Sequence, residues 1–191
     1  MTTATSTAKV ALPSGTYTID SSHSLIGFVA RHAMVTKVRG AFNEFAGGGF
    51  IDFENPANSK VEITIQAASI DTRNADRDGH LKSNDFFDMA QFPVISFTST
   101  DVKQIDIEKF SVTGDLTIKG VTKSVTIDFA STGTAIDPWS NTRIGFEGKA
   151  TINRTEFGVN WNAALEAGGV LVSEKITLEF EISAIRTPDA A

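Results

Sequence analysis

The feature that most constrains this chain is a two-residue alternation of apolar and polar side chains, repeated in segment after segment. Val61, Ile63, Ile65 and Ala67 alternate with Glu62, Thr64 and Gln66. Phe110, Val112, Gly114, Leu116 and Ile118 alternate with Ser111, Thr113, Asp115 and Thr117. Ile144, Phe146, Gly148, Ala150 and Ile152 face away from Arg143, Glu147, Lys149 and Thr151. Ile176, Leu178, Phe180 and Ile182 do the same against Thr177, Glu179, Glu181 and Ser183. A period of two with one charged face describes an antiparallel sheet wetted on one side only. Such a sheet has to hide its apolar face, by closing on itself or by packing on a second sheet.

Taken in order, the pattern places strands at 15–20, 25–32, 37–45, 50–53, 60–70, 94–102, 110–118, 122–130, 143–153 and 175–186. Gly47-Gly48-Gly49 and Lys119-Gly120 read as turns, and Asn55-Pro56 and Asp137-Pro138 as loops. Short connections between consecutive strands favour an up-and-down barrel of about eight strands. The expected fold is all-β, an antiparallel lipocalin-like β-barrel, with one interruption. Between Ser69 and Phe97 the strand pattern lapses. Asn74 stands where a helix N-cap would, Asp76 and Asp78 fall in the first turn and Lys82 in the last. A second short turn carries Phe86, Phe87, Met89 and Phe92, and Pro93 ends it. A helical insertion with so many large apolar side chains is expected to act as a lid over one end of the barrel.

A chain of 191 residues suits one domain. We place the barrel at 14–187, between polar tails at 1–13 and 188–191. The net charge of −6 and the pI near 5.0 argue against nucleic acid or an anionic membrane surface as partner. With no cysteine there is neither a disulfide framework nor thiolate chemistry. The first residues lack the apolar core of a signal peptide, and no stretch is apolar enough to span a bilayer. The expectation is a cytoplasmic protein with no integral membrane segment.

The inner face carries small residues on most strands: Ala30, Gly40, Ala67, Gly114, Gly148, Ala150 and Ala184. Small barrels alternate small and large side chains to fit their taper. The same positions would equally leave an elongated apolar channel. A strand over 60–70 is roughly 35 Å long at ~3.3 Å per residue, which suits a long chain better than a compact ligand.

Several runs resemble a known family. Asp20, His23-Ser24, Phe28, His32 and Arg39-Gly40-Ala41-Phe42 are similar to its N-terminal motif. Ala68-Ser69-Ile70-Asp71-Thr72, Arg77 to Ser83, Asp85-Phe86-Phe87-Asp88, Phe92-Pro93 and Phe97-Thr98-Ser99-Thr100 resemble its long central signature. Gly114 to Ile118 with Gly120-Val121-Thr122 looks like its third. This is the YceI-like family of polyisoprenoid-binding, extended-lipocalin proteins, and the resemblance runs from about Gly15 to Ile185. It implies a barrel holding a long isoprenoid chain, such as a polyprenyl lipid or an isoprenoid quinone, often in a homodimer. Many family members carry a secretory signal, and none is expected at the start of this sequence.

On inner-face parity and this resemblance, the candidate ligand-binding residues from the first strands are Ile26, Phe28, Ala30, His32, Val38 and Phe42. Ile63, Ile65 and Ala67 follow, then Phe86 and Phe87 of the lid. Phe97, Gly114, Leu116, Phe146, Ala150 and Phe180 complete the set. His32 shares a face with Ile26, Phe28 and Ala30, so it is expected inside, as a core histidine or against the polar end of a ligand. His23 is expected to bond backbone in its turn. His80, beside Arg77 and Asp78, is expected to pair and cap within the lid. The three histidines have no metal-motif spacing, so no metal site is assigned. Asp71, Arg77, Asp78 and His80 could be drawn as an acid–base site, but no nucleophile elbow or phosphate loop accompanies them. They read more simply as the scaffold pinning the lid to the rim. Trp161 is expected to pack under a loop. The function expected is binding, storage or transport of a long-chain isoprenoid lipid, without a cofactor and without catalysis. The alternatives are a fatty-acid or acyl-amide carrier, or an enzyme acting on such a lipid.

Overall fold

The computed structural model describes residues 12–166 and 168–188. Among them the chain forms eleven strands: β1 (Gly15–Ile19), β2 (Leu25–His32), β3 (Thr36–Phe42), β4 (Phe45–Ile51), β5 (Lys60–Gln66), β6 (Ile70–Asp71), β7 (Val94–Asp106), β8 (Lys109–Ile118), β9 (Val121–Ile136), β10 (Thr142–Asn153) and β11 (Lys175–Arg186). One α-helix, α1 (Ala75–Lys82), lies between β6 and β7. Every pairing is antiparallel, and β1 joins β11 as well as β4, which closes the sheet.

Eleven strands occupy only eight positions around the wall, because three strands are broken. β1 and β2 run in line along β11, interrupted by a 3-10 turn at Ser21–His23. β3 and β4 run in line, pairing with β2 and β1. β5 and β6 continue the pattern, pairing with β4 and β3. The stretch expected as one strand over 60–70 is thus interrupted by a 3-10 turn at Ala67–Ser69, and the one expected over 37–45 breaks at Asn43. The breaks fall on neighbouring strands. The result is the closed, eight-stranded antiparallel barrel that the alternation implies.

The glycine run is a correction. Gly47, Gly48 and Gly49 are not a turn but the middle of β4, paired with both β1 and β5. Their reason is close backbone approach. A Cβ on Gly48 would strike the carbonyl of Tyr17, and one on Gly49 the carbonyl of Lys60, and both residues sit at φ 152°. Glycine in a strand marks such contact, and composition alone does not distinguish it from a turn. Lys119-Gly120 does form a tight hairpin, with φ of 50° and 74°.

The core is one cluster down the barrel axis, including Ile65, Phe97, Val112, Leu116, Ile127 and Phe157. A smaller cluster of Tyr17, Ile144 and Ala184 closes the end opposite α1, and Leu12 packs on it. The Tyr17 hydroxyl donates to the Pro13 carbonyl at 2.6 Å, so these two residues of the expected N-terminal tail touch the barrel. The rest of that tail, 1–11, and 189–191 of the other lie outside the described residues.

Candidate functional site

The lid forms as its local signals require. The Asn74 side chain accepts from the Arg77 N–H at 2.9 Å and starts α1. Asp78 accepts from the Thr72 N–H (3.0 Å) and hydroxyl (2.5 Å). Arg77 donates through Nε to the Thr72 hydroxyl (2.7 Å) and through Nη2 to its carbonyl (2.8 Å). Thr72 itself is buried. Arg77 and Asp78 therefore clamp one rim residue from two sides and are spent on structure. His80 pairs with Asp85 at 2.8 Å, and its ring meets Phe86 and Trp161 edge-on. Trp161 packs against Phe86 with centroids 5.3 Å apart, beneath the lid. Leu81, Phe86 and Phe87 face down into the barrel.

Beneath them lies an elongated cavity of about 280 Å³. It extends from the lid to Phe53 and Pro56 in the loop after β4, and side chains from most of the wall line it. The lining is apolar almost throughout. Of the candidate ligand-binding residues, Ile26, Phe28, Ala30 and Phe42 line it from the first strands. Ile63, Ile65, Phe86, Phe87 and Phe97 line it from β5, the lid and β7, and Leu116, Phe146 and Phe180 from the later strands.

Five candidates do not line it. His32 is exposed. β2 stays in register with β11 only as far as Val29 and Thr177, and His32 lies beyond, bridged to Val172 at the rim. Its parity is that of Phe28, but no barrel interior stands opposite. Val38, near the same hairpin, is half-buried and also stands outside the cavity. Ala67 is buried in the 3-10 turn, and Ala150 packs against the core cluster without reaching the cavity. Gly114 lies under the Phe97 ring, which leaves no room for a Cβ. Gly40 under Phe28 and Gly148 under Phe129 repeat the arrangement. These three glycines are seats for neighbouring phenyl rings, so they widen the lumen indirectly, by letting rings lie against the wall.

His23 is a further correction. Its Nδ1 meets the Asp20 carboxylate at 2.8 Å and the Ser22 hydroxyl at 2.9 Å, both side chains. The same carboxylate takes Arg143 at 2.6 Å, and Arg143 reaches Asp137 at 2.8 Å. This outer-wall network ties the break between β1 and β2 to the hairpin of β9 and β10.

The lining residue most at odds with an apolar lumen is Arg154, which is 6 % exposed. It follows β10 and donates to the carbonyls of Val159 (2.6 Å), Ser173 (2.9 Å) and Val172 (3.3 Å). Burial pushes its pKa down, and Glu174 pulls it back up. Its role is to organise the long connection from β10 to β11. Parity cannot reveal it, because it lies past the last residue of a strand. Phe53, Phe129 and Leu178 also line the cavity. The alternation that places Leu178 inward was already visible.

An antiparallel eight-stranded barrel, closed on itself, with an apolar lumen roofed by one short helix, is a lipocalin-like architecture. The chain belongs to the YceI-like domain family, whose profile matches residues 17–184. It is 41 % identical over 145 residues to the protein YceI of Escherichia coli O157:H7, covering 75 % of each chain. The crystal structure of the Campylobacter jejuni YceI protein superposes with a TM-score of 0.71 at 31 % identity, covering 83 % of this chain and 90 % of that one. The polyisoprenoid-binding domain from Saccharophagus degradans, implicated in plant cell wall breakdown, has the same fold (TM-score 0.67, 16 % identity, 90 % and 98 % covered).

Proposed function

We propose that this protein binds and carries a long-chain isoprenoid lipid, a polyprenyl lipid or an isoprenoid quinone, in the cavity beneath the lid. The observation that carries the reading is the cavity itself: long, apolar and closed at one end by Leu81, Phe86 and Phe87. At about 280 Å³ it lies at the lower edge of ligand pockets, which run roughly 300–1,000 Å³. It accommodates part of a prenyl chain. Burying each CH₂ is worth about 0.8 kcal/mol, so a few isoprene units offset the cost of ordering the ligand. The Saccharophagus degradans domain that shares this fold is described as polyisoprenoid-binding, which favours a branched prenyl chain over a straight acyl chain.

Binding without catalysis and without a cofactor is part of the same reading. The polar groups of the lid, Arg77, Asp78 and His80, are engaged by Thr72 and Asp85. No helix among the described residues is long and apolar enough to cross a membrane. A homodimer and a cytoplasmic location complete the proposal, and light scattering and cell fractionation test them. The central test is native mass spectrometry of purified protein, with organic extraction of what is bound. An isoprenoid adduct is expected. Apo mass alone from several hosts, with no binding of added quinone or prenyl alcohol, would overturn the carrier reading. A fatty acid or acyl amide in its place would support the straight-chain alternative.

A further inference from the structure

The tip of the β2–β3 hairpin opposes folding in three ways. Ala33 and Met34 turn it at φ of 50° and 60°, left-handed backbone that glycine or asparagine takes more readily. Met34 and Val35 present two large apolar side chains to solvent, 56 % and 75 % exposed. Flanking the turn, Arg31 and Lys37 stand directly opposite each other across the ladder, where like charges repel. Arg31 donates through Nη1 to the Val35 carbonyl at 3.5 Å, which keeps its charge at the tip. Lys175, the first residue of β11, shares a surface groove with Arg31, Met34 and Lys37. Glu174 is the one carboxylate among the residues lining that groove. Among the described residues, none of these three cations takes part in an ion pair.

The tip stands at the lid end of the barrel. β1 and β2 run along β11 away from the Tyr17 cluster, so their hairpin lies at the end where α1 is. β3 returns from it to pair with β6, one residue before Thr72, to which α1 is clamped. The wall beneath the tip is closed. Ala33 donates its N–H to the Leu171 carbonyl at 2.7 Å, and Ser173 bonds both the N–H and the carbonyl of Arg31. These residues are therefore outer surface and not a mouth of the cavity.

We propose that the β2–β3 tip docks on a bilayer that carries anionic phospholipid. Met34 and Val35 enter the interface, and Arg31, Lys37 and Lys175 lie among the phosphates. An apolar tip ringed by charges of one sign matches that boundary, where apolar side chains leave water and cations meet anions. The chain's net charge is −6, and the expectation of no anionic membrane partner rests on that average. At physiological salt, exposed charges more than about 8 Å away are largely screened, so the charges at the contact decide. Docked in this way, the protein turns its lid end toward the membrane. The inference goes beyond the carrier reading and does not rest on it, because the contact is made by the outer surface whatever the cavity holds.

The test is flotation of the full-length protein with two kinds of vesicle, phosphatidylcholine alone and phosphatidylcholine mixed equally with phosphatidylglycerol. Three cations against Glu174 leave two positive charges in excess. Wild type is expected to favour the anionic vesicles by roughly thirtyfold, about fivefold for each charge, and added salt should erode the preference. The double variant Lys37→Gln, Lys175→Gln should lose it. Met34→Asn with Val35→Thr suits the turn better, so it should keep or raise stability in a urea melt while weakening binding to anionic vesicles by about tenfold. The chain contains no cysteine, so Val35→Cys and Ile107→Cys each carry a single environment-sensitive dye. Anionic vesicles should shift the emission of the dye at 35. They should leave the dye at 107 unchanged, since the β7–β8 turn lies at the other end of β8 from the lid. No binding to either vesicle, equal binding to both, or a preference that survives the lysine substitutions would overturn the docking surface. Unchanged binding in the Met34 and Val35 variant, or a shift at 107 in place of 35, would overturn it as well. None of these outcomes touches the carrier reading, which lipid extraction tests separately.

Discussion

Phe28 lies with the edge of its ring over Gly40, its direct partner on the next strand, where a Cβ would fall inside the ring's van der Waals radius. The methyl group of Thr72 approaches the same spot. The glycine therefore sets where the ring lies, and the ring sets how wide the lumen is. A methyl at position 40 must push Phe28 off the wall and into the cavity. Gly40→Ala is expected to cost about 1–3 kcal/mol and to weaken lipid binding. Adding Phe28→Leu should recover part of both losses, and a denaturant-based double-mutant cycle reads that coupling. Additive effects would mean that the contact does not hold the ring.

Gly79 gives the opposite outcome. It sits inside α1, and a Cβ there would meet nothing within 4 Å. Gly79→Ala should stabilise the protein by about 0.4–1 kcal/mol through the unfolded chain, in urea melts. A loss of stability would show that the lid needs the freedom of that glycine.

Phe86 is the lid's deepest anchor at 4 % exposed, wedged between Trp161 and His80. Phe86→Ala should cost on the order of 3–5 kcal/mol and speed the release of bound lipid. Stopped-flow displacement beside a thermal melt measures both. An unchanged release rate with lowered stability would separate the lid from ligand exchange.

The network of Asp20, Arg143 and Asp137 makes stability depend on acid. Burial pushes the Asp137 carboxyl up, but hydrogen bonds from Asn141 and Arg143 outweigh it and hold the pKa at about 2. The Ser22 hydroxyl, and then Arg143, hold Asp20 well below the usual carboxylate range. Both groups are depressed in the folded state. Their contribution is therefore complete above the unfolded value near ~3.9 and is lost as pH falls toward 2. Urea melts from pH 7 to pH 2 should show that loss. In Arg143→Gln the protein should be less stable at pH 7 and lose less across the acid window. Parallel curves for the two proteins would contradict this.

The chain's own alternation determined the barrel. Strand parity is a local property of the backbone, so Ile26, Ile65, Leu116 and Phe180 could be assigned to the inner face without knowing their neighbours. The cap at Asn74 was equally local, resting on a side chain three residues from the N–H it satisfies. Tertiary structure alone decided what depends on the stagger between strands. His32 keeps the parity of Phe28 but stands past the point where β11 is opposite. Gly48 and Gly49 look like a turn until β1 and β5 close in on both sides. Gly114 and Gly148 look like empty space until a ring from another strand lies over them. Arg154 carries no periodic signal, because it works in the connection between β10 and β11, past the last residue of a strand. Which face a residue takes is set within its own strand. What fills the space in front of it is set by strands distant in the chain, and only closure of the barrel brings those together.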